Sequence, residues 1–167
     1  PNAVLAVRSG DGAFEWCRAA AVEDDGDPAF QDDAAFFLAS ITKMYTTAVV
    51  MHLDQAGVLD LDEVITRYLP RAVTDGIHVY KGVDYVDRLT IAHLLGQTSG
   101  LADYFEDRPK NGRSVFDRIT TEGDLRFELD DVIRIVREDL HPAFPPGTGN
   151  RAHYSDTNFQ LLGAIIE

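Results

Sequence analysis

Phe36-Phe37-Leu38-Ala39-Ser40-Ile41-Thr42-Lys43-Met44-Tyr45 is the stretch on which the reading of this chain turns. An apolar run delivers a serine to the start of a helical pattern, and a lysine follows one turn on. Positions i and i+3 of a helix share a face, so Ser40 and Lys43 project together. A helix start leaves its first N–H groups unpaired and carries the positive end of the macrodipole, which favours negative charge on or beside a serine there. Serine alone is a weak nucleophile at neutral pH. An adjacent lysine serves as its base when burial or nearby cations lower the lysine pKa. Ser40 is therefore the candidate nucleophile and Lys43 its candidate proton acceptor. Read alone, S-x-x-K is equally satisfied by an N-cap serine followed by a surface lysine. The chain has only three lysines, Lys43, Lys81 and Lys110, which makes one placed behind a serine less of a background event.

From Ser40 the apolar residues Ile41, Met44, Tyr45, Ala48, Val49 and Met51 recur at helical spacing, and Gly57 supplies a stop, predicting a long and largely buried helix. Before it, 2–8 and 13–20 are β-prone runs joined by Ser9-Gly10-Asp11-Gly12, an antiparallel hairpin signal. Glu23-Asp24-Asp25-Gly26-Asp27-Pro28 lacks the alternating ligands of a calcium loop and reads as a solvated turn. After the long helix, Asp60 is placed to cap a second helix that Pro70 ends, and Thr90 a third over 91–96. The polar segment 104–124, with Pro109-Lys110-Asn111-Gly112 as a turn, reads as a loop over the cleft. Asp130 or Asp131 opens a helix through Val132, Ile133, Val136 and Leu140. Pro142, Pro145, Pro146, Gly147 and Gly149 form a rigid approach to Ala152-His153-Tyr154-Ser155-Asp156, and Ser155 is a suitable cap for a final helix carrying Phe159, Leu161, Leu162, Ile165 and Ile166. Two strands followed by helices leave a sheet that is marginal by itself. The expectation is the front part of a larger fold, in which 1–35 supplies the first sheet strands and 36–167 a mainly helical region.

Composition removes several classes of partner. Across 167 residues, 28 acidic side chains against 15 basic ones give a net charge of -13, which repels phosphate backbones and anionic headgroups. Nucleic acid is not an expected partner. No window approaches the ~18 apolar residues of a membrane span, and the N-terminus lacks the regions of a signal peptide. Pro1 in place of an initiator methionine suits a processed or trimmed chain. Cys17 is the sole cysteine, so no internal disulfide forms, and it reads as a small buried residue in a strand. His52, His78, His93, His141 and His153 make no H-x-x-x-H pair, so neither a zinc site nor any other cofactor is implied. His153 precedes Tyr154 and points the other way if the segment is extended.

Three segments together carry a resemblance: FFLASITKMYTTAVVMHLDQAGVLDLDEVITRYLP, LTIAHLLGQTSGL and FPPGTGNRAHYSDTNFQLLGAIIE. They resemble the serine β-lactamase and penicillin-binding-protein superfamily, in the branch of class C β-lactamases, D-alanyl-D-alanine carboxypeptidases and esterases. The resemblance implies an α+β fold, a helical region packed on an antiparallel sheet flanked by helices. It also implies an acyl-enzyme reaction on an ester, amide or β-lactam carbonyl of a small or peptide-like substrate, and a periplasmic or extracellular setting. Ser40 is similar to the family's acyl-accepting serine, Lys43 to its proton-shuttling lysine, and Tyr154 to the tyrosine of Y-[SA]-N. A phenol, with an ordinary pKa near ~10, serves as a proton relay only beside a cation such as Lys43. The Ser40 backbone N–H would give one oxyanion donor. Two departures bear on substrate. Asp156 stands where the family has asparagine, a substrate-facing position at which a carboxylate would raise the pKa of Lys43, repel substrate carboxylates and favour neutral esters. The family's third motif, [KH]-[ST]-G, has no counterpart: Lys110-Asn111-Gly112 fits K-x-G by letters but precedes Tyr154 and sits in a turn. A descendant that keeps the pocket for binding or scaffolding without catalysis is the alternative these departures feed.

Overall fold

The computed structural model of the protein describes residues 3–20 and 35–167, in two compact units, Pro1–Ala39 and Ser40–Glu167. The acidic turn predicted at 23–28 lies outside the described residues.

In the first unit, β1 (Ala3–Arg8) and β2 (Glu15–Ala20) form the expected antiparallel hairpin, with Ala3 opposite Ala20 and Arg8 opposite Glu15. The turn is closed by Ser9, whose backbone N–H donates to the Phe14 carbonyl at 2.9 Å and whose Oγ accepts from Phe14 N at 2.9 Å. Cys17 stands on β2 as expected, but half-buried.

The second unit is mainly helical. Its helices are α1 (Thr42–Gln55), the single turn α2 (Arg71–Thr74), α3 (Ile91–Leu95), α4 (Val115–Glu122), α5 (Leu129–Glu138) and α6 (Asp156–Ile166). A two-residue hairpin, β3 (Val79–Tyr80) with β4 (Val83–Asp84), lies between α2 and α3. α6 packs on α1, α3 and α5. Its Leu161 and Leu162 are fully buried against Val50, Leu94, Val132, Ile133 and Val136 among others. A side chain of this size contributes ~1.5–3 kcal/mol when fully buried. The apolar stripe of α6 is thus what fixes the other helices around it, and its first residue, Asp156, inherits a fixed place.

Several expectations need correction. The helix predicted from Asp60 is only a 3-10 turn, Ile65–Arg67. Asp60 Oδ1 accepts from Asp62 N at 2.9 Å in a local turn, while Ile65 N donates to the Leu89 carbonyl at 2.8 Å and Val64 bridges Thr90. These long-range pairings take the backbone groups that a helix would need. The loop predicted over 104–124 contains α4, which Ser114 and Asp117 start with a reciprocal capping box. α1 is not largely buried. Its apolar residues run round the whole helix, but only one side packs on α6: Val50 is buried while Met44 and Tyr45 are 71% and 63% exposed. The helix expected from Asp130 or Asp131 starts slightly earlier, with Glu128 at the cap, and Thr90 caps α3 as expected.

Candidate active site

Ser40 follows Ala39, whose φ of +46° lies in the left-handed region that an alanine avoids, at a cost of order 1–3 kcal/mol. The strained residue opens a 3-10 turn, Ala39–Ile41, that leads into α1. Lys43 is the second residue of α1 and lies on the same face, so its ammonium donates to Ser40 Oγ at 3.2 Å. From the other end of the unit, Tyr154 brings its Oη to 2.9 Å from Ser40 Oγ. Asp156, two residues on, forms an ion pair with Lys43, and both side chains are only 19% exposed. The Lys43 ammonium also lies over the rings of Tyr154 and Phe159, at 5.2 and 5.5 Å from their centroids. A cation against a ring face is worth ~0.5–2 kcal/mol.

All four predicted site residues are therefore together in space. The charge state of Lys43 runs against the role of a free base. Burial pulls its pKa down, but hydrogen bonds and charge from Asp156 and Tyr154 outweigh that, and the net direction is upward. An ammonium has three donors and no lone pair, so at neutral pH Lys43 gives hydrogen bonds and takes none. Asp156 begins α6, and its carboxylate turns to Lys43 rather than to solvent.

Ser155 occupies the expected cap position of α6 without capping it. Its hydroxyl donates to the Ala102 carbonyl at 3.0 Å. The carboxylate that receives the Asp156 N–H, at 2.9 Å, is that of Asp103, a buried residue that also accepts from Phe105 N and Glu106 N. Burial pushes the Asp103 carboxyl pKa up, with the backbone donors acting against it. Asp103 was not singled out from the sequence. It lies 53 positions from its partner, and only its place two residues after the Thr98-Ser99-Gly100-Leu101 stretch offers a cue. His153 points away from Tyr154, as alternation predicts, and its Nε2 meets Asp107 Oδ2 at 3.1 Å. His93 closes the cap of α3, its Nδ1 accepting from Thr90 N at 3.2 Å.

Two cavities, of about 520 and 370 Å³, lie elsewhere on the second unit, one around Asp54, Leu59 and Tyr68 and the other around Ile77, Lys81 and Arg137. Neither includes a residue of the cluster. Ser40 and Tyr154 are open to solvent, which leaves room for a substrate to approach Oγ. Among the described residues no helix is long and apolar enough to cross a membrane.

Comparison with known proteins adds an independent line. Residues 1–167 match the family model described as Beta-lactamase. The chain is 31% identical to Esterase EstB of Burkholderia gladioli over 98% of its own length and 39% of that protein. It is likewise 31% identical to Penicillin-binding protein 4* of Bacillus subtilis, over 98% of the chain and 31% of that protein. Among solved structures, a D-stereospecific amidohydrolase from a Streptomyces species aligns over 99% of this chain and 44% of its own, with a TM-score of 0.71 and 26% identity. The chain thus spans less than half the length of these relatives, and what it aligns with is their β-lactamase-like fold.

Proposed function

The chain belongs to the β-lactamase family, whose members similar to it are hydrolases and a penicillin-binding protein, and we propose that it works as a serine hydrolase through an acyl-enzyme on Ser40, with neutral esters favoured. The observation that carries this reading is the convergence on one oxygen: Ser40 Oγ lies between the Lys43 ammonium at 3.2 Å and the Tyr154 phenol at 2.9 Å.

In this reading Ser40 Oγ attacks the carbonyl carbon and its proton passes to Tyr154 Oη. Lys43, a donor only, cannot receive it. Of the two groups within reach, the phenol oxygen is the one with lone pairs to offer. The role first expected of Lys43 as base therefore passes to Tyr154 Oη, and Lys43 acts by its charge. The oxyanion of the tetrahedral intermediate meets the Ser40 backbone N–H. Tyr154 Oη then returns the proton to the leaving alkoxide, and the acyl group stays on Oγ. Water, giving its proton to the same Tyr154 oxygen, attacks the acyl carbon, and that proton goes on to Ser40 as the acid departs.

Neutral esters follow from the charge arrangement. The cation of the cluster is already paired with Asp156, and the chain carries a net charge of -13, so a substrate carboxylate finds its counter-ion taken and a repelling field around it. The name of Esterase EstB agrees with an ester as substrate.

The test is covalent. A fluorophosphonate probe should add its mass to Ser40, and Ser40→Ala should lower hydrolysis of a chromogenic ester by about 10⁴-fold or more. The thermal midpoint should barely move, since the side chain is small and exposed. No added mass, or unaltered turnover in the variant, removes Ser40 from the mechanism.

A further inference from the structure

The phenol of Tyr154 must be held within 3 Å of Ser40 by something, yet the segment that carries it has no regular structure of its own: 151–155 is neither helix nor strand. Tyr154 is also 47% exposed, so packing of its ring does not fix it. The two main-chain N–H groups that flank Tyr154 both go to one residue, beside the side-chain anchors of His153 on Asp107 and Ser155 on Ala102. His153 N donates to the main-chain carbonyl of Gln97 at 2.9 Å. Ser155 N donates to Gln97 Oε1, also at 2.9 Å. Gln97 Nε2 returns a longer bond to the Ser155 carbonyl at 3.4 Å. The carboxamide thus stands in for a second peptide group, and main chain and side chain together make a two-rung ladder with Tyr154 arched between the rungs.

Two further observations set this apart from an incidental contact. Gln97 has φ +57°, a left-handed conformation that a glutamine adopts at a cost. That backbone turn follows α3 directly and aims both its carbonyl and its side chain at the same segment. The orientation of the carboxamide is also determined by its neighbours. Leu101 N donates to Ser99 Oγ at 3.1 Å, and Ser99 Oγ donates to Asn158 Oδ1 at 2.7 Å. This makes Asn158 Nδ2 a donor, and it bonds Gln97 Oε1 at 2.5 Å. Ser99 and Asn158 are both fully buried, where an unmatched donor or acceptor is costly. The Ser155 backbone N–H can only donate, so the carboxamide atom it meets is the oxygen Oε1, which leaves Nε2 to donate to the Ser155 carbonyl.

We propose that Gln97 is the positioning residue for Tyr154: it clamps the main chain on either side of the phenol and so sets the Tyr154 to Ser40 distance. The proposal rests on the reading of Ser40 and Tyr154 as reacting groups. Gln97 touches neither substrate nor Oγ, and its effect on the reaction runs through Tyr154 alone.

A double-mutant cycle on the purified protein with the chromogenic ester tests it. Gln97→Met keeps the volume of the side chain and removes its hydrogen bonds. It should lower kcat by about 10- to 100-fold, the range for a reacting group displaced by ~1 Å, with KM within about twofold. In a Tyr154→Phe background the same substitution should cost less than about threefold, because there is no phenol left to misplace. A merely structural glutamine would lower both backgrounds equally, and that result overturns the proposal, as does unchanged kcat in the single variant. Where Gln97→Met does not fold, Gln97→Glu takes its place. It keeps an acceptor for Ser155 and Asn158, exchanges the donor to the Ser155 carbonyl for a carboxylate oxygen, and should show a loss of about 3- to 10-fold with the same dependence on Tyr154. Ser40→Ala separates the two levels: if it leaves turnover intact, the reading of the reaction fails, whereas a dead Ser40→Ala with an additive cycle at Gln97 sinks the positioning role alone.

Discussion

Replacing Asp156 by asparagine removes a charge from Lys43 while keeping the side chain's length, and so isolates what that charge does. Lys43 is pulled down by burial and raised beyond that by Asp156 and Tyr154. With the carboxylate gone the upward pull shrinks, and Lys43 loses its proton at lower pH. The sign follows for stability as well: a lysine whose folded pKa is raised contributes stability that is complete below its unfolded value of ~10.4 and is lost as pH climbs through the higher folded value. If turnover needs the ammonium, the alkaline fall of kcat in Asp156→Asn should lie at lower pH than in the parent, measured with a neutral ester. Coincident alkaline limbs would show that Asp156 does not hold this proton. The freed ammonium should also improve KM for a carboxylate-bearing ester by about 2- to 5-fold relative to the neutral one, the worth of a partly exposed ion pair, up to about 1 kcal/mol. A fall in both affinity and rate for that substrate would count against the repulsion argument.

Between α3 and α6, the turn over 97–101 is the part that ties distant segments into one site. Thr98 O accepts from Gly147 N at 3.0 Å and Gly100 O from Ala143 N at 2.8 Å. The approach is close enough that a Cβ on Gly100, at φ +72°, would come within 2.0 Å of the Phe144 carbonyl oxygen. Gly57, which ends α1 at φ +70°, has nothing within 4 Å of that position. Urea denaturation should separate the two: Gly57→Ala should cost about 1 kcal/mol, the conformational penalty alone, and Gly100→Ala more than about 3 kcal/mol, because main chain must move as well. Equal losses would mean that the 143–147 segment yields easily. The same turn explains which parts of the fold could be read from the chain alone. The β1–β2 hairpin, α1, α3, α5 and α6 each announce themselves by spacing and by a local cap or turn, so they were expected in nearly the right places. The failure at Asp60 and the surprise of Asp103 have the opposite cause: Ile65 bonds Leu89, and Asp103 bonds the start of α6, pairings set by the tertiary fold, with no local period to betray them. α4 is a different case. Its Ser114-x-x-Asp117 cap is legible in the chain, but it sits in a polar stretch with few apolar residues to mark a helical period. For the site, only Ser40 and Lys43 are joined by spacing. Tyr154 lies 114 positions from Ser40, and family resemblance rather than pattern brought it in.

The chain carries a large negative charge and, buried in its second unit, a histidine whose own positive charge burial disfavours. Acidification neutralises carboxylates and relieves the self-repulsion of a chain with net charge -13, which should stabilise it. His78 opposes this. It is fully buried, its Nε2 donates to the Ser99 carbonyl at 2.8 Å, and its Nδ1 has no hydrogen-bond partner among the described residues. Its ring meets Tyr85 edge to face. Burial lowers its pKa, and the Ser99 carbonyl and Asp84 pull only partly the other way. The unfolded chain therefore takes up a proton on this residue first, near ~6.5. Stability from the neutral ring is complete above that value and is lost as pH falls through it toward the lower folded pKa. Because the lost group anchors Ser99, and through Ser99 the Asn158 and Gln97 amides, the weakening falls on the turn that supports Tyr154. His78→Gln keeps an N–H for the Ser99 carbonyl and cannot titrate. Thermal midpoints of the parent and of His78→Gln, followed from pH 7.5 to 5, should diverge, with the parent losing more on the acid side. Parallel curves would mean that the folded protein accommodates the charged ring, and that the acid response of the whole chain is set by its carboxylates alone.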